Sequence, residues 1–401
     1  MTEIYIEKGS ATYTKVNIAF FLAGFTIFSV LYSVQPLMPF FVHHYHVTPT
    51  IASLTLSVST FVMAISLMFF GALSEVMGRK PIMIFSVIAV SFLSLLQPFA
   101  PNFTLFLIVR FAQGFVLAGL PAIAMAYISE EVHPRSITSA IGLYISGNAL
   151  GGAFGRIFTG TIAGLYGYQV GLISIAIISC IAAILFSLLI PNSSHFTKSP
   201  LQIKPLIASY RQHLTNKDLI KPFMLGFLFL GSNIAMFNYI GFELIAPPYN
   251  ISTTFVSFIY LLFLLGMIAS MMSGKLTETF GRHHTMKFAV MLYLLGIAIT
   301  LLPFAIFKII GLACAVFGFF SGHALASSLV GSIANHHKAQ ATSLYLLFYY
   351  VGSSVGGTVG GLCYDFAGWY GVALMVTLFM VTAFLIIVSM SKPMTKHLQT
   401  H

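Results

Sequence analysis

The chain has 401 residues, of which 58% are hydrophobic and 7% charged, and its formal net charge is +10. Soluble domains carry about a quarter charged residues, so this chain could not cover a water-facing surface and its solvent is lipid. In lipid only helices and closed barrels satisfy their own backbone, and barrel strands alternate polar and apolar positions. Here the apolar runs are unbroken, as in 16–41 and 371–390, so the expectation is an all-α membrane protein.

In chain order, a polar N-terminal segment of mixed charge precedes an apolar run longer than a signal-peptide core and without an A-x-A cleavage pattern. It reads as a retained first span, ended by Pro36 and Pro39. Crossing the hydrocarbon core takes about 20 residues. On that measure the spans fall at 17–41, 51–73, 82–99, 103–128, 137–160 and 168–190, then at 222–246, 253–274, 286–306, 309–333, 340–363 and 370–390. Residues 1–190 and 222–401 thus form two six-helix bundles, joined by a polar linker at 191–221. Twelve transmembrane helices with both termini cytoplasmic are predicted.

Sidedness comes from the basic residues, which favour the cytoplasmic face. Of the 19 Lys and Arg residues, all but Lys308, Arg110 and Arg156 lie in segments that an inside N-terminus leaves inside, including Lys392 and Lys396 at the C-terminal end. Lys308 falls to an outer loop, and the two arginines fall within spans. The basic excess therefore marks a bacterial cytoplasmic (inner) membrane topology, multi-pass, rather than a nucleic-acid surface.

The second half repeats the first. GALSEVMGRK from Gly71 recurs as GKLTETFGRH from Gly274, so that Gly71, Glu75, Gly78 and Arg79 match Gly274, Glu278, Gly281 and Arg282. SGNALGGAFGR in span five corresponds to VGSSVGGTVGG in span eleven, and AGLYG at 163–167 to AGWYG at 367–371. Two similar bodies around a central site are what alternating access requires.

On these residues the chain resembles the major facilitator superfamily, GALSEVMGRK being similar to its loop signature after span two. YSVQPLMPFF (32–41), YISEEVHPRS (127–136), GLYISGNALGG (142–152) and FNYIGF (237–242) are similar to the YnfM-like branch, grouped with drug:proton antiporters. The resemblance implies that the loop cluster latches one conformation and breaks on opening. It also implies that Arg110, Gln113 and Gly114 act in proton coupling or substrate-anion contact. In superfamily antiporters the span-five motif has Pro after its second Gly and Gly at its end. Here those positions are Gly152 and Arg156, a departure that weakens the case for antiport.

From the residues themselves, Gly71 and Gly274 permit close helix approach, and Arg79 can pair with Glu130 or Glu131. Arg110 is an intramembrane charge that costs about 2.5 kcal/mol or more unless it faces a cavity or a partner. By the helical rise, Arg110 and Arg156 lie at similar depths, roughly 7–11 Å below the outer boundary. Gln35 and Glu243 fall near them, which predicts a polar ring. Glu243 is a candidate proton carrier or counter-ion, or else an acid at the outer headgroups. His323, near mid-membrane, is a candidate proton relay or a packing residue. Asn233, Asn238 and Tyr239 are candidates for lining the cavity.

The three cysteines, Cys180, Cys314 and Cys363, lack CxxC spacing and read as packing residues. The His pairs lack the i, i+4 spacing of helix-borne metal ligands, so no metal is expected. No GxxxxGK[ST] or HExxH occurs, and GSSVG at 352–356 matches GxSxG only inside the glycine-rich run of span eleven and not at a strand-to-helix turn, which leaves no motif for nucleotide hydrolysis or for an enzyme. A proton gradient is then the energy source and no cofactor is needed. The leading expectation is a secondary transporter, acting as a monomer in the lipid bilayer on a small-molecule substrate, that couples protons to efflux of amphipathic compounds or drugs. A carrier for a small organic anion, held by the two arginines, is the alternative. A sensor that has lost transport is a third reading, against which the two matched loops speak.

Overall fold

The computed structural model describes residues 5–198 and 203–390, so Lys392 and Lys396 lie outside the described residues. Among those described the regular structure is helical, apart from an isolated parallel bridge between Ile6 and Val132. α1 (Ala11–Tyr32) begins at Ser10, whose side chain accepts the Tyr13 amide. Pro36 and Pro39 do not end this span. A 3-10 turn at Gln35–Leu37 carries the chain into α2 (Met38–Tyr45), because each proline occupies a first-turn position where its missing N–H costs nothing.

α3 (Pro49–Met77) and α4 (Arg79–Leu96) meet at Gly78, with φ at 98°. The fourth expected span is split into α5 (Phe103–Leu117) and α6 (Ala124–Glu131). Its break has a visible cause. The Ser86 hydroxyl donates to the Val116 carbonyl at 2.6 Å and accepts from the Leu120 amide at 3.1 Å, taking the place of one helical rung. α7 (Ile137–Tyr166) and α8 (Tyr168–Leu189) turn at Gly167.

The linker contains a helix of its own, α9 (Ile203–Thr215), and α10 (Lys217–Ile245) starts before the expected boundary at 222. Next come α11 (Thr253–Ser257), a 3-10 stretch at Phe258–Leu264 and α12 (Leu265–Phe280). α13 (Arg282–Thr300) and α14 (Ala305–Ile333) follow. The last two expected spans form α15 (Lys338–Ser389), broken at Ala367 and Gly368, the latter with φ at 56°. By length and composition, eight helical segments among the described residues can cross a membrane.

The sequence repeat is also a backbone repeat. Gly78 and Gly281 both hold positive φ, 98° and 79°, and each caps its helix by donating to a carbonyl four residues back. The glycine stripes are close helix contacts: Gly147, Gly151 and Gly155 of α7 press on the α1 backbone at Phe21, Phe25 and Ser29. Gly352 and Gly356 of α15 press likewise on α10 at Phe227 and Gly231. In lipid, where burial of apolar surface does not drive association, such backbone proximity supplies dispersion contact. The tail motifs match less closely, because the chain turns at Gly167 in AGLYG but already at Gly368 in AGWYG.

The two halves of the chain touch at one end. The Thr50 hydroxyl donates to Asp365, Gly361 abuts Thr50, Gly357 abuts Ser57, and Gly160 abuts Pro36 and Ser257. At the other end Gly71, Gly142, Gly274 and Gly331 face open space. Gly71 and Gly274 thus make no close helix approach in this conformation, which is closed at one mouth and open at the one carrying the two signature loops.

Candidate functional site

α1 stops one turn short of Gln35, and the last carbonyls of a helix have no partner within it. Arg110 of α5 supplies one. Its Nη2 donates to the Leu31 carbonyl at 2.9 Å and its Nη1 to the Val30 carbonyl at 3.4 Å. Nη1 also reaches Gln113 Oε1 at 2.9 Å, and Nε reaches the Thr55 carbonyl of α3 at 2.5 Å. Gln113 in turn donates to Ser94 of α4 at 3.1 Å. Arg110 and Gln113 are fully buried. The guanidinium meets the negative end of α1 and holds the break from which Gln35 projects. It braces three helices and does not line a cavity.

Arg156 is placed otherwise. It is 4% exposed on α7, donating from Nε to Gln35 Oε1 at 2.5 Å and from Nη1 to the Gly152 carbonyl at 2.8 Å. Among the described residues the group has no carboxylate partner, and the Tyr32 phenol is a further hydrogen-bonding neighbour. Its charge lies over the Tyr32 ring at 3.7 Å, with Phe263 at 4.6 Å and Tyr260 at 5.5 Å. Such faces offset part of the desolvation of a cation. Gln35 continues the chain, its Nε2 donating to Asn238 Oδ1 at 2.7 Å on α10, while Asn238 Nδ2 is left buried and unpaired. The array Arg156–Gln35–Asn238 therefore bridges the two halves at their closed end.

The expected polar ring is thus divided. Gln35, Arg156 and Asn238 come together, Arg110 is sequestered, and Glu243 lies apart, paired at 3.0 Å with Lys308. Lys308 belongs to α14, 3% exposed, with its Nζ 5.5 Å from both the Tyr249 and Trp369 rings. It is not in an outer loop, because a lysine stem lies along apolar surface and its head has an acid to meet.

His323 on α14 is half-buried. Its Nδ1 lies 2.8 Å from the Tyr345 hydroxyl, and its ring is stacked against Phe319 at 5.9 Å and tilted over Tyr349 at 4.5 Å. Of the other cavity candidates, Tyr239 donates to the Gly357 carbonyl at 2.6 Å, and Asn233 is buried.

At the open end, Arg79 joins Glu75 and Glu130, each at 2.8 Å, and donates to Ser74 Oγ at 2.6 Å. Glu131 takes no part in that pairing. It is 2% exposed and binds the linker, accepting the His195 amide at 3.0 Å with Nδ1 of that ring at 3.3 Å. The second loop is not latched in the same way. Arg282 donates to Ser332 at 3.2 Å, and Glu278 is exposed with no ion pair among the described residues.

Sequence reasoning missed Tyr32, Tyr349 and Tyr345 as neighbours of the buried charges, and the linker contacts of Glu131. No spacing in the chain signals them, since each lies far in sequence from its partner. Among the described residues no cluster of three His, Cys, Asp or Glu could hold a metal.

The sequence profile of the Major Facilitator Superfamily matches residues 20–333 and 223–399. The chain is 46% identical over 379 residues to the uncharacterised MFS-type transporter YybF of Bacillus subtilis (strain 168), covering 94% of each protein. It is 36% identical to the inner membrane transport protein YnfM of Escherichia coli (strain K12), covering 95% of this chain and 92% of that one. The fold is also that of a solved structure of the nucleoside transporter NupG, with a TM-score of 0.77 at 14% identity, covering 94% of this chain and 100% of the other.

Proposed function

Because the chain belongs to the major facilitator superfamily, a class of membrane transporters and not of enzymes, we propose that it carries small organic anions with an apolar or aromatic body across the bacterial inner membrane by alternating access. Residues 1–190 and 222–401 are the two moving bodies, twelve spans in all, linked by 191–221, with both termini cytoplasmic and a proton gradient as energy source. The protein works as a monomer.

The observation that carries the anion reading is the Arg156 guanidinium, buried among Tyr32, Tyr260 and Phe263 with no acid beside it. A cation taken out of water without a counter-ion is costly, and an anionic substrate would supply the missing charge. The rings would take its apolar part. A hydrogen bond between charged groups contributes about 1.5–3 kcal/mol, which converts to about 10- to 150-fold in affinity. In proteoliposomes, unlabelled aromatic carboxylate or sulfonate inside should drive counterflow of the labelled compound, and Arg156→Gln should weaken its affinity by about tenfold or more. Counterflow that Arg156→Gln leaves unchanged would reject this reading.

Proton-coupled efflux of amphipathic drugs is the second reading, favoured by the same aromatic surround. It requires a group that can exchange a cationic drug for a proton. Glu243, near the end of α10, is already engaged with Lys308. Counterflow of lipophilic cations, insensitive to Arg156→Gln, would favour efflux over anion carriage.

A further inference from the structure

We infer that the turn between α12 and α13 is a binding site for an anionic phospholipid with a hydroxylated headgroup, of the phosphatidylglycerol kind, drawn from the leaflet at the open mouth. On the sidedness proposed above that is the cytoplasmic leaflet.

The two signature turns share a backbone and differ in what covers them. At the first, the chain after α8 folds over the turn. Phe196 lies 3.7 Å from where a side chain on Gly78 would begin, its ring centre is 5.3 Å from the Arg79 guanidinium, and Lys80 donates to Asn192 Oδ1 at 2.9 Å. At the second, no described residue comes within 4 Å of a side chain placed on Gly281.

Beside that bare turn is a cavity of about 650 Å³, lined by Leu276, Thr279 and Phe280 of α12 and by His284, Thr285 and Phe288 of α13. The spacings i, i+3, i+4 and i, i+1, i+4 put each set on one face of its helix. Phe280 and Phe288 are exposed, and so are Met272 and Met291, one turn farther from the loop on each helix. An apolar track therefore runs from the cavity along the lipid-facing surface, where an acyl chain fits.

The polar side of the cavity selects the headgroup. Lys275, Arg282 and Lys287 stand around the turn against a single acid, Glu278. None of the three cations has an ion pair among the described residues. Lys287 and His284 both lie within electrostatic reach of His283, so positive charge is gathered on the first two turns of α13. Thr279 Oγ1 donates to the Lys275 carbonyl at 3.2 Å and Thr285 Oγ1 to the Gly281 carbonyl at 3.0 Å. Each hydroxyl proton is thereby engaged, and the oxygen offers only an acceptor. A phosphodiester meets the cations but has no hydrogen for those oxygens, whereas a headgroup glycerol has. Choline brings a cation and no donor.

The test is lipid binding to the full-length protein in a nonionic detergent, read by native mass spectrometry and by unfolding temperature. Dioleoylphosphatidylglycerol should raise the unfolding temperature and bind about tenfold or more tighter than dioleoylphosphatidylcholine. Lys275→Gln with Lys287→Gln should weaken phosphatidylglycerol binding about 30-fold, roughly fivefold for each cation near a membrane surface. Lys217→Gln with Lys221→Gln removes the same charge at the start of α10, away from the cavity, and should change binding little. Leu276→Trp fills the cavity and keeps every cation. It should also weaken binding, with an unfolding temperature in phosphatidylcholine like that of the unmodified protein. Equal binding of the two lipids, an equal loss in the Lys217 and Lys221 variant, or undiminished binding by Leu276→Trp overturns the inference. So does binding of soluble glycerophosphoglycerol at matched concentration, which would make this a site for a free phosphodiester. Removal of residues 391–401 should leave lipid binding unchanged, and a gain of about tenfold would identify the chain's own end as the occupant and overturn the lipid.

Discussion

Changing Gln35 to Glu tests the geometry at the closed end most sharply. Gln35 Oε1 accepts from Arg156 Nε at 2.5 Å, so the substitution places a carboxylate against the guanidinium without adding an atom. The new pair gains a charge-assisted hydrogen bond worth about 1.5–3 kcal/mol. A substrate anion would have to displace or share that carboxylate, so its affinity should fall by about 10- to 150-fold. The same change removes the Nε2 donor to Asn238 Oδ1, which loosens the bridge between the halves. Gln35→Leu separates the two effects, since it breaks both bonds and adds no charge. Its loss of affinity should be smaller than that of Gln35→Glu. The assay is half-saturation of counterflow over a series of aromatic carboxylates and sulfonates. If Gln35→Glu leaves affinity unchanged while Arg156→Gln abolishes it, Gln35 does not meet the guanidinium in the binding state and the proposed site is misassembled.

Two further outcomes follow from packing and pairing. Gly151→Leu drives a side chain into the α1 backbone at Phe25, so the protein should lose about 1–3 kcal/mol from overpacking, seen as a lower melting temperature in detergent. Gly142→Leu, which faces open space, should not do so. Lys308→Met strands Glu243, and because that acid is 24% exposed the cost should stay below the ~3–5 kcal/mol of a fully buried pair. Adding Glu243→Met should recover most of the loss, and failure of that rescue would show that Lys308 acts through its stem and rings rather than its charge.

Much of the fold was legible because its causes are local. Unbroken apolar runs specify helices in lipid, and Gly78 and Gly281 recur because the turn after each helix needs a positive φ that a side chain opposes. Pro36 and Pro39 misled because proline forbids a helix interior but suits a first turn, and the sequence does not say where a new turn begins. The break after Leu117 was invisible for a different reason, as it is made by Ser86, a hydroxyl on another helix.

The amino-acid order alone determined that this is a helical membrane protein of the major facilitator superfamily, and it named Gln35, Arg110, Gln113, Arg156 and Asn238, which the structure buries, beside Glu243 and His323, which it leaves partly open. It put Arg110 and Arg156 at one depth, because axial rise is a property of the chain. Which of them is free was decided by the tertiary structure. One guanidinium meets the orphan carbonyls of α1, and the other meets one carbonyl, one amide, the Tyr32 phenol and a set of rings. A charge in lipid takes its meaning from the partners around it, and those partners come from helices that only packing brings together.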